Sequence, residues 1–250
     1  MITGAKTDRE ARRGTLYLLP VALGEAAPWP HFLPAQVRAI ASGLRHFVVE
    51  TARAARAHLK QIDYPHPLRE TDIRELPADT ARAGNAVLDA LLAPALAGED
   101  LGLMSDAGCP AVADPGALLV ARAHALGIRV VPLVGPSSIL LGLMGSGLNG
   151  QSFAFHGYLP VGEVERDAML RALEDESRKL WRTQIFIETP YRNERMLEAM
   201  LKQLKPDTRL CVACELNTAN ETLHTRSERD WRRTERTALA KRPALFLLLA

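Results

Sequence analysis

Two carboxylates and one thiol stand in a run of small residues, Ser105-Asp106-Ala107-Gly108-Cys109-Pro110-Ala111-Val112-Ala113-Asp114-Pro115-Gly116. The run holds no Lys, Arg or His, so it lacks the cation that a phosphate cradle of the Walker type brings. Small side chains let main chain touch a ligand directly. The ligand expected here is held by backbone and carries little negative charge. A metal pair made of Asp106 and Asp114 is the competing chemistry. Asp before Pro is a helix-start pattern, which gives Asp114 a capping task and leaves Asp106 to shape a turn. No clustered His or third carboxylate completes a ligand set, so no metal is expected.

Other corners carry chemistry of their own. Gly135-Pro136-Ser137-Ser138 reads as a helix cap and as a second ligand-binding turn, two roles that are compatible. In Phe155-His156-Gly157-Tyr158-Leu159-Pro160, His156 is either a general base or a hydrogen-bonding structural residue. In Glu188-Thr189-Pro190-Tyr191-Arg192, Thr189 is placed to cap a helix that Pro190 begins. Glu50 ends an apolar run, and Arg53, Arg56 and Lys60 follow on one helical face. That face is either solvated surface or a basic wall for an anionic substrate, with Arg53 nearest the ligand. Cys211-Val212-Ala213-Cys214 matches C-x-x-C, but in a strand residues three apart face opposite sides, so two buried structural thiols are expected.

The elements that must position these residues alternate throughout, the pattern of an α/β chain. Thr15–Leu19, His46–Val49, Asp100–Met104 and Arg129–Val134 read as buried parallel strands, separated by helices over Pro34–Ser42, Thr51–Ile62, Asp79–Leu96 and Asp114–Leu126. Asp63 to Pro77 reads as loop with one short strand. The second half offers strands at Ser152–His156, Thr183–Glu188, Arg209–Glu215, Thr222–Arg226 and Ala244–Leu249. Its helices are expected at Pro136–Met144, Glu163–Glu176, Tyr191–Leu204 and Glu228–Ala238. No helix fits between Arg209–Glu215 and Thr222–Arg226, so this pair is expected to be antiparallel. The fold class is therefore α/β in two domains, a parallel-sheet domain over 14–134 and a mixed-sheet domain over 135–250. Residues 1–13 are polar and charged, a disordered lead-in rather than a secretory leader. A cleft between two such domains is a usual ligand site.

With 250 residues, 47% apolar and 24% charged, the composition is that of a soluble globular protein. A net charge of +2 does not by itself imply a nucleic-acid partner. Three cysteines build no disulfide framework and fit a reducing, cytoplasmic compartment. The longest apolar region, Val130 to Leu148, is broken by Pro132, Gly135, Pro136, Gly142, Gly145 and Gly147, so no membrane span is expected.

Taken in order, the corners resemble the tetrapyrrole methylase superfamily of S-adenosylmethionine-dependent methyltransferases. They are most similar to its branch that methylates a ribose 2′-hydroxyl of small-subunit ribosomal RNA. Gly14-Thr15-Leu16-Tyr17-Leu18 with Pro20 resembles that branch's first strand and loop. Ser105-Asp106-Ala107-Gly108-Cys109-Pro110 through Asp114-Pro115-Gly116 is similar to its Ser-Asp-Ala-Gly-Thr-Pro … Asp-Pro-Gly motif. Val134-Gly135-Pro136-Ser137-Ser138, Gly157-Tyr158-Leu159-Pro160 and Glu188-Thr189-Pro190-Tyr191-Arg192 match its later motifs. The resemblance implies S-adenosylmethionine as cofactor, folded into the interdomain cleft of a homodimer. It implies cofactor contacts from Pro20, Ser105, Asp106, Ala107, Gly108, Val112, Asp114, Ser137, Ser138, Glu188, Ala213 and Pro243. A sulfonium cofactor without phosphate suits a main-chain pocket with carboxylates and no Lys. Glu50 and His156 are the candidate bases, with Arg53 as the third catalytic candidate.

Two departures bear on the acceptor. The branch's Thr-Pro-Ile-Gly-Asn stands here as Leu19-Pro20-Val21-Ala22-Leu23-Gly24, and its Glu-Asp-Thr-Arg as Glu50-Thr51-Ala52-Arg53. Methyl transfer is therefore better supported than the acceptor, which is an RNA ribose hydroxyl, a tetrapyrrole or another small molecule. A relative that binds the cofactor without turnover is the second class of reading. A magnesium-nucleotide enzyme using Asp106 and Asp114 is the third, and the missing Lys counts against it.

Overall fold

The computed structural model describes residues 13–24, 28–234 and 238–250. The lead-in expected over 1–13 lies outside the described residues except for Arg13. The chain divides into two compact units, one within Met1–Ala22 and Pro28–Pro136, the other within Leu23–Ala27 and Ser137–Ala250.

The first unit is a five-stranded parallel sheet of β1 (Thr15–Leu18), β2 (His46–Val49), β3 (Asp72–Glu75), β4 (Leu101–Met104) and β5 (Arg129–Pro132), in the order β3-β2-β4-β1-β5. Its helices are α1 (Ala35–Gly43), α2 (Ala52–Gln61), α3 (Thr80–Leu96) and α4 (Gly116–Ala125). Alternation along each strand sends residues to opposite faces. Leu16, Val48, Leu101 and Leu103 pack under Leu88, Leu91, Leu92 and Ala95 of α3 and Leu119 and Ala123 of α4. On the other face Gly102 has no side chain, and the space is filled by Leu19, Leu44 and Phe47, against which Tyr64 stands edge-on at 5.8 Å. Helix α3 is broken at Gly84 (φ 74°, ψ 165°), so its first turn is set off from the rest.

The expectation that Arg129–Val134 is a buried strand is overturned. β5 stops at Pro132 and lies at the sheet's edge, with Arg129 and Pro132 exposed. A Val-rich run reads as buried, but its place in the strand order decides its exposure.

The second unit is a mixed sheet, β6-β7-β10-β8-β9, of β6 (Phe153–Tyr158), β7 (Thr183–Glu188), β8 (Arg209–Cys214), β9 (Thr222–Ser227) and β10 (Ala244–Leu249). Only β6 and β7 run parallel; β8 and β9 pair antiparallel across their turn, as expected. Helices α6 (Glu163–Leu180), α7 (Asn193–Gln203) and α8 (Glu228–Arg233) cover one face, packing Leu170, Leu173, Met196, Met200 and Trp231 on Phe186 and Phe246. Helix α5 (Ser138–Ser146) covers the other. It approaches closely because Gly142 and Gly145 face the strands: a Cβ at either would fall 2.3 Å from Leu245 or 2.5 Å from Leu223. Cys211 and Cys214 are buried on opposite faces of β8, one in each core, as the alternation predicts. Residues 235–237, expected in a helix to Ala238, lie outside the described ones. Among the described residues no helix is long and apolar enough to cross a membrane.

Candidate functional site

In the first unit β1 leads into α1 on one face and the neighbouring β4 leads into α4 on the other. The carboxyl ends of β1 and β4 therefore form a topological switch point, the usual place of a ligand crevice in an open α/β sheet. Pro20 follows β1, and Ser105 to Asp114 follow β4.

The loop after β4 is held from three sides. Gly108 (φ 72°) accepts at its carbonyl from the Val21 N–H (2.9 Å), bridging to the segment after β1. Pro20 is buried against Gly135, where a Cβ would lie 2.2 Å from the Pro20 ring; Gly135 is the residue that lets the turn after β5 close on it. The Cys109 Sγ lies 3.4 Å from the Pro136 carbonyl, and burial pushes its thiol pKa up. Ser105 is buried, its hydroxyl donating to the Ala107 carbonyl (3.2 Å). Ala107 and Val112 are exposed.

Asp114 organises the far end. Both its oxygens accept from the Ala111 N–H at 2.9 Å, and Oδ1 accepts from the Gly116 N–H at 2.7 Å. Pro115 is already helical (φ −71°, ψ −7°), so Asp114 serves the opening of α4 as a capping residue does. Burial pushes the Asp114 carboxyl pKa up, against the pull of the Gly116 and Ala111 amides and the Ser105 hydroxyl. Ala111 (φ 66°) and Ala113 (φ 62°) are both left-handed, a conformation that costs a non-glycine residue roughly 1 kcal/mol or more and gathers at functional loops.

The corner after β2 locks onto the same loop. The Asp106 N–H donates to Glu50 Oε2 (3.0 Å), while Asp106 Oδ1 accepts from the Thr51 N–H (3.1 Å) and the Thr51 hydroxyl (2.9 Å). Thr51 also caps α2, accepting from the Ala54 N–H (3.3 Å), and Glu75 at the end of β3 accepts from the Ala52 N–H (2.6 Å). The sequence reading missed both linking residues. Thr before a helix was a readable signal for Thr51; Glu75 had none, because its strand follows a loop-like region. Arg53 is exposed on the first turn of α2.

In the second unit Ser137 caps α5, accepting from the Leu140 N–H at 3.5 Å, and Ser138 opens the helix. Glu188 is buried, and its Oε1 accepts from the Thr189 N–H (2.6 Å) and from Arg192 Nη2 (2.6 Å) and Nε (3.0 Å). Thr189 does not cap α7, contrary to expectation. Its carbonyl accepts from the Arg192 N–H, closing a further turn before the helix begins at Asn193. Ala213 is buried in the core under α5, one strand from Pro243, whose carbonyl accepts from the Glu215 N–H (3.0 Å). His156 lies at the irregularity of β6, where Gly157 is left-handed, with Nε2 2.6 Å from Oε1 of the fully buried Gln184. Among the described residues no group of three or more His, Cys, Asp or Glu side chains is arranged to hold a metal ion.

The chain is similar to Ribosomal RNA small subunit methyltransferase I of Pseudomonas aeruginosa, 40% identical over 126 residues, which is 50% of this chain and 43% of that protein. The same-named proteins of Vibrio cholerae (39% over 129 residues, 51% of this chain and 43% of theirs) and Escherichia coli O157:H7 (38% over 136, 54% and 46%) are similar to a like extent. The chain thus spans less than half the length of these curated relatives. Among solved structures it shares its fold with uroporphyrin-III-C-methyltransferase from Thermus thermophilus (TM-score 0.54, 17% identity, 95% of this chain and 92% of that one). It shares it also with the methyltransferase CobJ (TM-score 0.60, 17% identity, 94% of each chain). The model of the Tetrapyrrole (Corrin/Porphyrin) Methylases matches residues 37–230, from within α1 to within α8, and with well over half of the chain inside that span the chain belongs to this family.

Proposed function

We propose that the protein is an S-adenosylmethionine-dependent methyltransferase acting on a ribose 2′-hydroxyl of RNA. The observation that carries the reading is the loop after β4: left-handed backbone at Gly108, Ala111 and Ala113, small side chains, and an exposed Asp106 already fixed by Thr51. Such a loop fits a cationic, phosphate-free ligand. When bound, the cofactor supplies an electrophilic methyl group on a sulfonium. Pro20, Ser105, Asp106, Ala107, Gly108, Val112 and Asp114 would hold it.

Most of the catalytic work in such a displacement is positioning. A ribose hydroxyl must also lose a proton. Glu50 has Oε2 engaged by the Asp106 amide, which leaves Oε1 to take that proton, with Arg53 one turn away to hold acceptor phosphate. His156 is the other candidate base. The altered Glu50-Thr51-Ala52-Arg53 sequence is compatible with activity, because Thr51 does the capping that an Asp at this position would do. The names of the curated relatives support RNA as acceptor, and the family supports a homodimer working in the cytoplasm.

Calorimetric titration with S-adenosylhomocysteine, wild type beside Asp106→Arg, tests the cofactor site, and transfer of labelled methyl to small-subunit ribosomal RNA tests the acceptor. Saturable binding by the wild type, lost in Asp106→Arg, is expected. A folded wild type that binds no cofactor would overturn the reading.

A further inference from the structure

Helix α2 has the sequence Ala52-Arg-Ala-Ala-Arg-Ala-His-Leu-Lys-Gln61 and contains no carboxylate. Arg53, Arg56 and Lys60 are exposed and fall at spacings of three and four, one helical face. Several other cations of the same unit are neutralised: Arg38 by Asp63, Arg74 by Asp72, Arg82 by Asp79 and Arg122 by Asp89. Among the described residues no carboxylate pairs with Arg53, Arg56 or Lys60. A solvated helix face normally interleaves both signs. Arg53 moreover stands in the first turn, where the helix dipole disfavours a cation, with no acidic residue of that turn to offset it. Local stability explains neither the row nor its position.

We propose that Arg53, Arg56 and Lys60 form a track for the phosphodiester backbone of a single-stranded RNA, leading it to the Glu50–Asp106 corner from which α2 starts. The inference rests on RNA being the acceptor. At 1.5 Å per residue the row covers about 10 Å of helix axis, the reach of about three phosphates at 3.4 Å per strand charge. The track reads charge and not sequence, so it orients the acceptor strand and leaves the choice of nucleotide to other residues.

The test is binding of a short fluorescein-labelled single-stranded RNA, followed by anisotropy across a salt series. The proteins compared are wild type, Arg56→Gln/Lys60→Gln and Arg129→Gln. Arg129 is an exposed cation at the opposite end of the sheet, at the start of β5. Each phosphate contact contributes about 0.7 to the slope of log K against log salt for a single strand. The wild-type slope is expected near −2, the double variant shallower by about 1.4 with weaker binding at low salt, and Arg129→Gln unchanged. S-adenosylhomocysteine titration of the same proteins reports that the corner is intact. An unchanged slope in the double variant, an equal effect of Arg129→Gln, or wild-type binding to anionic vesicles but not to RNA would overturn the track. Salt-dependent RNA binding lost in the double variant, from a wild type that binds no S-adenosylhomocysteine, would instead remove the methyltransferase reading and keep the track.

Discussion

Asp106 and Thr51, from corners that follow neighbouring strands, are joined twice: one Asp106 oxygen accepts from both the amide and the hydroxyl of Thr51. The hydroxyl also caps α2, so one side chain couples the placement of a candidate cofactor carboxylate to the start of a helix.

Thr51→Ala keeps the amide contact and removes both hydroxyl contacts. A lost cap costs about 1 kcal/mol, which lowers Tm by roughly 2–4 °C in a chain of this size. S-adenosylhomocysteine affinity should fall with it, and Thr51→Ser should restore both. Calorimetry and thermal melts check this; an unaltered Thr51→Ala protein would refute the coupling.

Gly116 is required by its neighbours. A Cβ there would lie 2.9 Å from Asp114 Oδ1 and 3.0 Å from Leu103 Cδ2. Gly116→Ala should cost about 1–3 kcal/mol in urea unfolding and weaken cofactor binding, because the Asp114 cradle must shift. Gly43, at the end of α1, has open space around it, so Gly43→Ala should be neutral or slightly stabilising. Equal effects at the two positions would show that packing at Asp114 is not the cause.

His58 is buried beside Phe32, its Nδ1 has no partner, and burial pulls its pKa down to about 4. The unfolded chain binds this proton at about pH 6.5, so stability is fully present above that pH and is lost as pH falls toward 4. The contribution is on the order of 3–4 kcal/mol at most, taking about 1.4 kcal/mol per pH unit. Urea melts at several pH values should show this acid limb in the wild type and a flatter one in His58→Leu. Parallel limbs in the two proteins would assign the loss to other groups.

His46 has the opposite sign. Its Nδ1 lies 3.0 Å from Asp72 and its Nε2 2.7 Å from Glu99, tying the starts of β2 and β3 to the turn before β4. Burial pulls its pKa down, but the bonds and charges of the two carboxylates outweigh that, and the net shift is upward. Its stabilisation is present below about pH 6.5 and is lost as pH rises through the higher folded value. Titration followed by NMR should find His46 protonating above the ordinary imidazole range, and Glu99→Gln should bring it down. A midpoint at or below the ordinary value would contradict the clamp.

The alternation of apolar runs with helical patterns placed every strand but β3 within a residue or two, because buried strands and amphipathic helices leave different periods in a sequence; β3, Asp72–Glu75, carries a single apolar residue and falls inside the loop-like region 63–77. The same period split Cys211 from Cys214 across β8. What sequence could not carry was strand order. Glu50 and Asp106 are far apart in the chain and meet only because β2 pairs with β4. Glu75 reaches α2 only because β3 pairs with β2, and β5 is half exposed only because it is outermost. The missed turn at Thr189 has a local cause, the Glu188 carboxylate holding Arg192 outside the helix.

The outermost place of β3 has a consequence for how the chain avoids its own copies. Three of its four residues, Asp72, Arg74 and Glu75, are charged, and Arg74 and Glu75 are exposed. A second chain adding a strand at this border would have to strip water from these charges. The strand that completes the parallel sheet thus also guards it against aggregation while the molecule folds.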